Sequence, residues 1–336
     1  MTIKDLAMKT GYAVGTVSRA LNDHPNVSEK ARKVILQAAA ECGFELNVNA
    51  KQLKQQHSNT ILVVVKGTSN ELFSEMLESI QNLIAKTRYQ LVVDYMDEDA
   101  NEVIRAVQLC REKKPLGVLF LGGNTQNFAA DFDKIDIPSV LVTNDASSLP
   151  FENLSSVSTD DMEAGRCAID TLIALGHREI AIIGGDRVTS DTSRLRYEGC
   201  LQSFASNGIP FDADRDYQGV RYSYQDGYEA TKALLDAGSR FTAIFAIADV
   251  MAIGAIRALR ENGLRVPEDV SVMGVDGLPL GSFLVPQLST VSQSVHRMAM
   301  RSVEILLDGI EEGKLACHET VPFGILRRES IRDIRK

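Results

Sequence analysis

Near its amino terminus the chain reads Thr2-Ile3-Lys4-Asp5-Leu6-Ala7, then Thr10-Gly11-Tyr12-Ala13-Val14-Gly15, then Thr16-Val17-Ser18-Arg19-Ala20-Leu21-Asn22. This stretch predicts two short helices around a tight turn. Thr2 and Asp5 have the spacing of a capping box, with the threonine hydroxyl accepting from first-turn amides. Gly11 supplies the turn. Val17, Ala20 and Leu21 recur at helical spacing and should face inward, which leaves Val14, Gly15, Ser18 and Arg19 outward. A short outward helix carrying Ser and Arg suits the DNA major groove, where one guanidinium can bond O6 and N7 of guanine together.

Beyond the pair, Ser28 is placed to cap a third helix running to about Cys42, with Gly43 ending it. Its narrow apolar face, Ala31, Val34, Ile35, Ala38 and Ala39, would close a small three-helix core. Residues 46–58 then turn polar, amide-rich and free of acidic side chains. Their composition is that of a linker. A helix over Val48 to Lys54 would be too short to hold in water without a partner or DNA.

From Thr60 the pattern alternates between strand and helix. Thr60-Ile61-Leu62-Val63-Val64-Val65 is a continuous apolar run, as expected of a strand covered on both faces. A helix follows with Phe73, Met76, Leu77, Ile80, Leu83 and Ile84 on one side. Further strands are expected at 91–93, 117–121 and 139–142, with a helix at 101–112. After Val157-Ser158-Thr159-Asp160 the theme restarts, with strands at 180–183, 243–246 and 270–275 and helices at 162–175, 195–206, 224–237 and 250–262. This alternation predicts two lobes, each a doubly wound parallel sheet. Periodicity does not assign Ser289 to Ser292, or the helix from Val295 to Leu307, to either lobe.

Charge divides along the chain. The net value is -9 over 336 residues, yet residues 1–60 hold eight Lys or Arg against five Asp or Glu. A basic end on an acidic body directs a polyanion to one face and repels it elsewhere. The cysteines Cys42, Cys110, Cys167, Cys200 and Cys317 include no Cys-x-x-Cys pair, so buried reduced thiols are expected. The first 15 residues show no signal-peptide pattern and no apolar run reaches membrane-spanning length, so a cytoplasmic location without membrane attachment is expected.

No catalytic motif is evident: there is no His-x-x-x-His, Gly-x-Ser-x-Gly or P-loop. The histidines have no metal-ligand spacing. No enzyme activity, metal or cofactor is therefore expected. In open parallel sheets, ligands sit beyond the carboxyl ends of the strands. Asn70 and Phe73 fall there after the first strand, as do Asn144, Asp160, Arg196, Asp249 and Asp276 after later ones. Asp160 and Asp249 also lead into helices, where a capping role is the competing reading.

The opening string resembles that of the LacI/GalR family of bacterial transcription regulators. So do Thr171-Leu172-x-x-Leu175-Gly176-His177-Arg178-Glu179, Gly263-Leu264-Arg265-Val266-Pro267-Glu268-Asp269 and Leu326-Arg327-Arg328-Glu329-Ser330. The resemblance covers essentially the whole chain. It implies an all-α helix-turn-helix headpiece (1–45), a hinge (46–59) and a periplasmic-binding-protein-like body crossed three times by the chain. The first lobe would comprise 60–159 with 290–317, and the second 160–289 with 318–332, including a last strand near Thr320 to Leu326. Ala50-Lys51-Gln52-Leu53 is similar to the family's hinge motif, which makes Leu53 the apolar wedge entering the minor groove. The DNA-contacting set so implied is Thr2, Val14, Gly15, Thr16, Ser18, Arg19, Asn22, Asn47, Ala50, Lys51 and Leu53. In the body, the resemblance makes Arg196 and Asp276 an effector clamp, with Phe73 as an aromatic wall; Tyr222 joins the ligand-binding candidates by the resemblance alone.

The function implied is a sequence-specific regulator, a repressor, dimeric or tetrameric, acting on near-palindromic double-stranded operator DNA. A small polar metabolite, a sugar or nucleoside, would control it. A solute-binding protein with no DNA role is the alternative. The chain also departs from the family pattern. Ala13 replaces a capping Ser, Leu46 a Pro, Lys51 an Arg, Gly67 an Asp and Ala248 an Asn.

Overall fold

The structure, a computed structural model, describes residues 3–21, 27–42, 59–67 and 70–335. Thr2, Asn22, Asn47, Ala50, Lys51 and Leu53, the Gly43 helix end and the expected hinge helix lie outside the described residues. The chain divides into two compact units, 1–58 and 59–336.

The first unit contains α1 (Ile3–Thr10), α2 (Val14–Leu21) and α3 (Glu29–Glu41). Gly11 has φ +70°, and its N–H donates to Ala7 O at 3.0 Å. A left-handed residue at that point lets the chain leave α1 and reverse. Ser28 caps α3 by accepting from the Ala31 amide. Leu6, Val17, Ala20, Ala31, Ile35 and Ala39 meet in one buried cluster. Burial of a residue such as Leu6 or Ile35 contributes roughly 1.5–3 kcal/mol, and a core this small depends on each one. Val34, expected inside, is 42% exposed, because the inward stripe of α3 runs through Ala31, Ile35 and Ala39 and passes beside it.

In the second unit the first lobe runs β1 (Thr60–Lys66), α4 (Glu71–Ile84), β2 (Gln90–Met96), α5 (Glu102–Lys113), β3 (Gly117–Leu121), α6 (Thr125–Asp131), β4 (Ser139–Thr143) and β5 (Leu154–Thr159). The second lobe runs α7 (Asp161–Ala174), β6 (Ile180–Gly184), α8 (Asp191–Ser206), α9 (Ala213–Asp216), β7 (Tyr217–Gly219), α10 (Tyr224–Asp236), β8 (Ala243–Ala246), α11 (Asp249–Glu261), β9 (Ser271–Asp276) and β10 (Ser289–Ser292). The chain then adds α12 (Val295–Glu312), β11 (His318–Val321) and β12 (Gly324–Leu326). One sheet has the order β11-β5-β4-β3-β1-β2 and the other β12-β10-β9-β8-β6-β7. All pairings are parallel except β10 with β12. The apolar run of β1 follows from burial on both faces: Ile61, Val63 and Val65 join one core, Leu62 and Val64 the other. Among the described residues no helix is long and apolar enough to cross a membrane.

Two expected lobe boundaries move. Residues 289–292 were expected to return to the first lobe from 290 onward, but β10 pairs with β9 in the second sheet. Residues from 318 were expected in the second lobe, but β11 pairs with β5 in the first. The single strand expected near 320–326 is two strands, broken at Pro322-Phe323, since proline cannot donate to a ladder. Helix α12 does pack on the first lobe, against α4, β4 and β5. The interlobe crossovers are therefore β5 to α7, β10 to α12 and β11 to β12. After β12 the tail stays on the second lobe, where Ser330 Oγ donates to Val272 O at 2.6 Å.

Candidate functional site

In the first unit, α2 turns Val17 and Ala20 inward and leaves Val14, Gly15 and Arg19 exposed, with Thr16 and Ser18 half-buried beside them. Arg19 Nε donates to Gly15 O at 3.1 Å, so its guanidinium lies along the outer face of the helix. Ala13 offers no capping side chain, and only its carbonyl engages the helix, accepting from Thr16 and Val17.

In the second unit, a cavity of about 500 Å³ opens between the carboxyl ends of the two sheets. Ligand crevices in doubly wound folds form there, where neighbouring strands feed helices on opposite faces. From the first lobe, Lys66, Asn70, Phe73, Thr143 and Asn144 line it. From the second come Ser190, Thr192, Arg196, Tyr222 and Asp276, and from the second crossover Gln293.

Arg196 is 3% exposed. Its Nε donates to Asp161 Oδ1 at 2.8 Å, Nη1 donates to Ile247 O, and Nη1 lies 3.8 Å from Asp276 Oδ1. The planar fork is thereby held at a fixed angle beside the cavity. Asp276 has φ +125°, a strained backbone for a non-glycine residue, and Gln293 Nε2 donates to its Oδ1 at 2.8 Å. Tyr222 shares a 2.7 Å hydrogen bond with Ser193 Oγ. Phe73 is 7% exposed, and its ring needs the glycine opposite, for a Cβ on Gly122 (φ +78°) would meet Phe73 Cζ at 2.8 Å.

The buried charge is unbalanced. Asp161 and Asp276 flank one guanidinium, and Asp249 lies buried next to Asp276. Burial pushes Asp249 up to about 8, with the neighbouring Asp276 charge adding to the effect. Burial also raises Asp276, to about 6, against the pull of Arg196 and the Gln293 hydrogen bond. Near neutral pH the two carboxyls therefore hold about one proton between them. Asp249 Oδ2 accepts from the Gly277 and Leu278 amides at 2.9 and 2.8 Å, whereas Oδ1 is buried without a hydrogen-bond partner. A protonated Oδ1 removes the cost of an uncompensated buried charge.

Several expected ligand contacts separate here. Asn70 caps α4 by accepting from Leu72 at 3.0 Å and also lines the cavity. Asp160 is exposed, caps α7 by accepting from Glu163 at 2.9 Å and does not line the cavity. Its neighbour Asp161 is the acid that grips Arg196, since one step along the first turn of a helix changes the facing direction. Asp249 lies behind Asp276, held by the Gly277 and Leu278 amides, and does not line the cavity. Sequence reading also passes over Lys66, whose ammonium contacts Glu102 Oε2 at 2.6 Å. Glu102 is fully buried and accepts as well from Asn124 N and Asn127 Nδ2, so the lysine charge is neutralised in place.

The lobes meet across the cleft mouth. Thr125 N and Oγ1 donate to Asp191 at 2.9 and 2.7 Å, Asn124 Nδ2 donates to Thr189 O at 3.0 Å, and Tyr224 donates to Glu71. Arg221 of the second lobe reaches Asp97 at 2.8 Å, Glu98 at 2.6 Å and also Asp99 on the first. The cleft is closed.

Comparison with known proteins brings these observations together. A family model for a periplasmic binding protein-like domain matches residues 169–331. A second, for bacterial regulatory proteins of the lacI family, matches residues 2–47. The HTH-type transcriptional regulator MalR of Clostridium butyricum is 33% identical across 99% of this chain and 100% of its own length. A solved transcriptional regulator CelR–cellobiose complex is 26% identical with a TM-score of 0.73, covering 98% of this chain and 99% of that one. The lac repressor dimer bound to operator and the anti-inducer ONPF is 26% identical with a TM-score of 0.78, covering 99% of both chains. With relatives matched over nearly its whole length, a headpiece built on α2 and a two-lobed body that follows it in sequence, the chain belongs to the lacI family of bacterial regulatory proteins.

Proposed function

We propose that this transcription regulator is a homodimeric repressor that reads a near-palindromic operator through α2 and is switched by a sugar or nucleoside held in the cleft. The observation that carries the reading is the presence in one chain of an exposed Arg19 helix and an interlobe cavity of about 500 Å³ beside Arg196 and Asp276. A solute-binding protein would use the second feature and have no use for the first. The reading assigns no catalytic step, and a protein acting on the chromosome works in the cytoplasm.

In this reading Val14, Gly15, Thr16, Ser18 and Arg19 meet the major groove, and Leu53 is the minor-groove wedge. One headpiece covers few base pairs, so two copies on a two-fold site supply useful affinity. Related structures carrying operator, an anti-inducer or cellobiose support both halves of the assignment. In the cleft, Arg196 donates and ionised Asp276 accepts, which together orient a polar ligand. Phe73 gives it an apolar wall, and Asn70, Asn144 and Tyr222 complete the lining. With Gly67 and Ala248 offering no polar side chain, a ligand dense in hydroxyls leaves more of them unsatisfied here. Ligand held between the lobes favours one lobe arrangement, and by linkage operator DNA alters ligand affinity by the same factor.

Gel shifts with genomic fragments upstream of neighbouring genes, with and without candidate sugars and nucleosides, test the proposal. A specific shift that one compound changes supports it. Binding indifferent to sequence would overturn it. Asp276→Ala should still fold and still bind DNA but lose the response to the compound.

A further inference from the structure

We propose that Gln293 is the positioning residue that, together with its neighbour Ser294, ties the cleft to all three interlobe crossovers. The inference rests on the ligand-cleft reading and names the device that regulates it. Gln293 lies between β10 and α12, in the second crossover, and is 7% exposed. Its amide works at both ends. Nε2 donates to Asp276 Oδ1 at 2.8 Å, inside the cleft. Oε1 accepts from Thr159 Oγ1 at 2.9 Å, at the end of β5, where the first crossover begins. The next residue extends the tie, because Ser294 Oγ donates to Pro322 O at 2.5 Å, on the third crossover. Two consecutive side chains therefore join a cavity carboxylate to every strand of chain that links the lobes.

The direction of the amide is fixed by chemistry. Asp276 offers only acceptors when ionised, so it takes the NH₂ end, and the Thr159 hydroxyl must then donate to the carbonyl end. The main chain holds the same register, with Gln293 N donating to Asp276 O at 3.0 Å. A ligand group that engages Asp276 competes for, or reinforces, the oxygen that holds Gln293. That change reaches the crossovers without passing through either sheet, which moves as a rigid layer. Lobe rotation concentrates its φ/ψ changes in a few residues of such connections.

The test is hydrogen exchange on the full-length, ligand-free protein, read in peptides spanning 157–164, 290–296 and 319–326. Gln293→Glu is isosteric and keeps the acceptor for Thr159, but sets a carboxylate against Asp276. Loss of a buried bond to a charged group at this strength should raise exchange at least about tenfold in all three peptides, leaving the strand cores unchanged. Asp276→Asn alone keeps an acceptor for Nε2 but loses the charge, so it should act in the same direction by less. In the double variant the amide and carboxylate exchange places, the bond reforms with its polarity reversed, and exchange should return to within about twofold of wild type. Thr159→Val cuts the other end and should loosen the 157–164 and 290–296 peptides while the Gln293–Asp276 bond stays in place.

Loosening confined to 290–296, or a double variant no better than the singles, overturns the proposal. Should Gln293→Glu fail to fold, Thr159→Val decides, by loosening in both of its peptides or in 290–296 alone. Because no ligand or DNA is present, a negative result here leaves the regulator reading standing. Conversely, a protein with this exchange pattern that selects no DNA sequence fails that reading and not this one.

Discussion

Replacing Asp249 with Asn should flatten the dependence of stability on pH. Asp249 is fully buried, accepts two backbone amides through Oδ2 and has no partner for Oδ1. Burial raises it from the ordinary carboxylate range, about 4, to about 8. The folded state therefore binds a proton that the unfolded chain has released, and stability falls as pH rises through that interval. Asp276, raised to about 6, contributes a slope of the same sign that ends lower. Between pH 6 and pH 8 the Asp249 proton dominates, and because it is half lost by pH 8 it removes roughly 2 kcal/mol of wild-type stability, at about 1.4 kcal/mol per pH unit while fully bound. Asn keeps an acceptor for the Gly277 and Leu278 amides and cannot ionise. Denaturant unfolding followed by far-ultraviolet circular dichroism at pH 6, 7 and 8 should show the variant gaining on wild type by roughly that amount. Titrating groups remote from the Asp249–Asp276 pair cancel in the difference. A gap that stays constant across the three pH values would refute the assignment of the proton to Asp249.

Arg19→Ala should reduce discrimination between operator and a duplex altered at the contacted guanine by about 1–3 kcal/mol, read by competition binding; an unchanged ratio removes Arg19 from the groove. Gly122→Ala puts a methyl group 2.8 Å from Phe73 at a φ of +78°, and should cost at least about 1 kcal/mol of stability by chemical denaturation; a neutral result contradicts the packing of that wall. Arg221→Ala should change stability by less than about 1 kcal/mol, since its ion pairs are half-exposed, yet widen the ligand-free protein in small-angle scattering. Wild type should approach the variant as salt rises toward 1 M and screening shortens to about 3 Å; a salt-independent gap would place the latch elsewhere.

The parts of the fold legible in the sequence were those with a local signature. The first helices announce themselves through Gly11 and the Val17-Ala20-Leu21 spacing, and β1 through an apolar run too dense for a one-sided strand. Sheet membership was not legible for β10, β11 and β12. Each is three or four residues long, and a strand that short carries the same pattern whichever sheet it joins. At the cleft, Arg196 and Asp276 were singled out by the family resemblance, which makes them an effector clamp. Asp161 was hidden beside Asp160, because two consecutive acids before a helix both read as caps. Gln293 was hidden because an uncharged amide in a polar connection carries no pattern, and its role comes from Asp276 and Thr159, distant in sequence. Residues 46–58, with Leu53 among them, remain a reading of composition and resemblance.

The most direct test of cleft control over DNA binding is a single titration. A ligand is first found by thermal-shift screening of monosaccharides and nucleosides against the full-length protein, and an operator by selection from random duplexes. Operator affinity is then measured at fixed salt with and without saturating ligand. The expected result is a change of about 5-fold to 150-fold in wild type and none in Asp276→Ala. Equal operator affinity with the cleft empty and full, in a protein that demonstrably binds both partners, would contradict the coupling of the two sites.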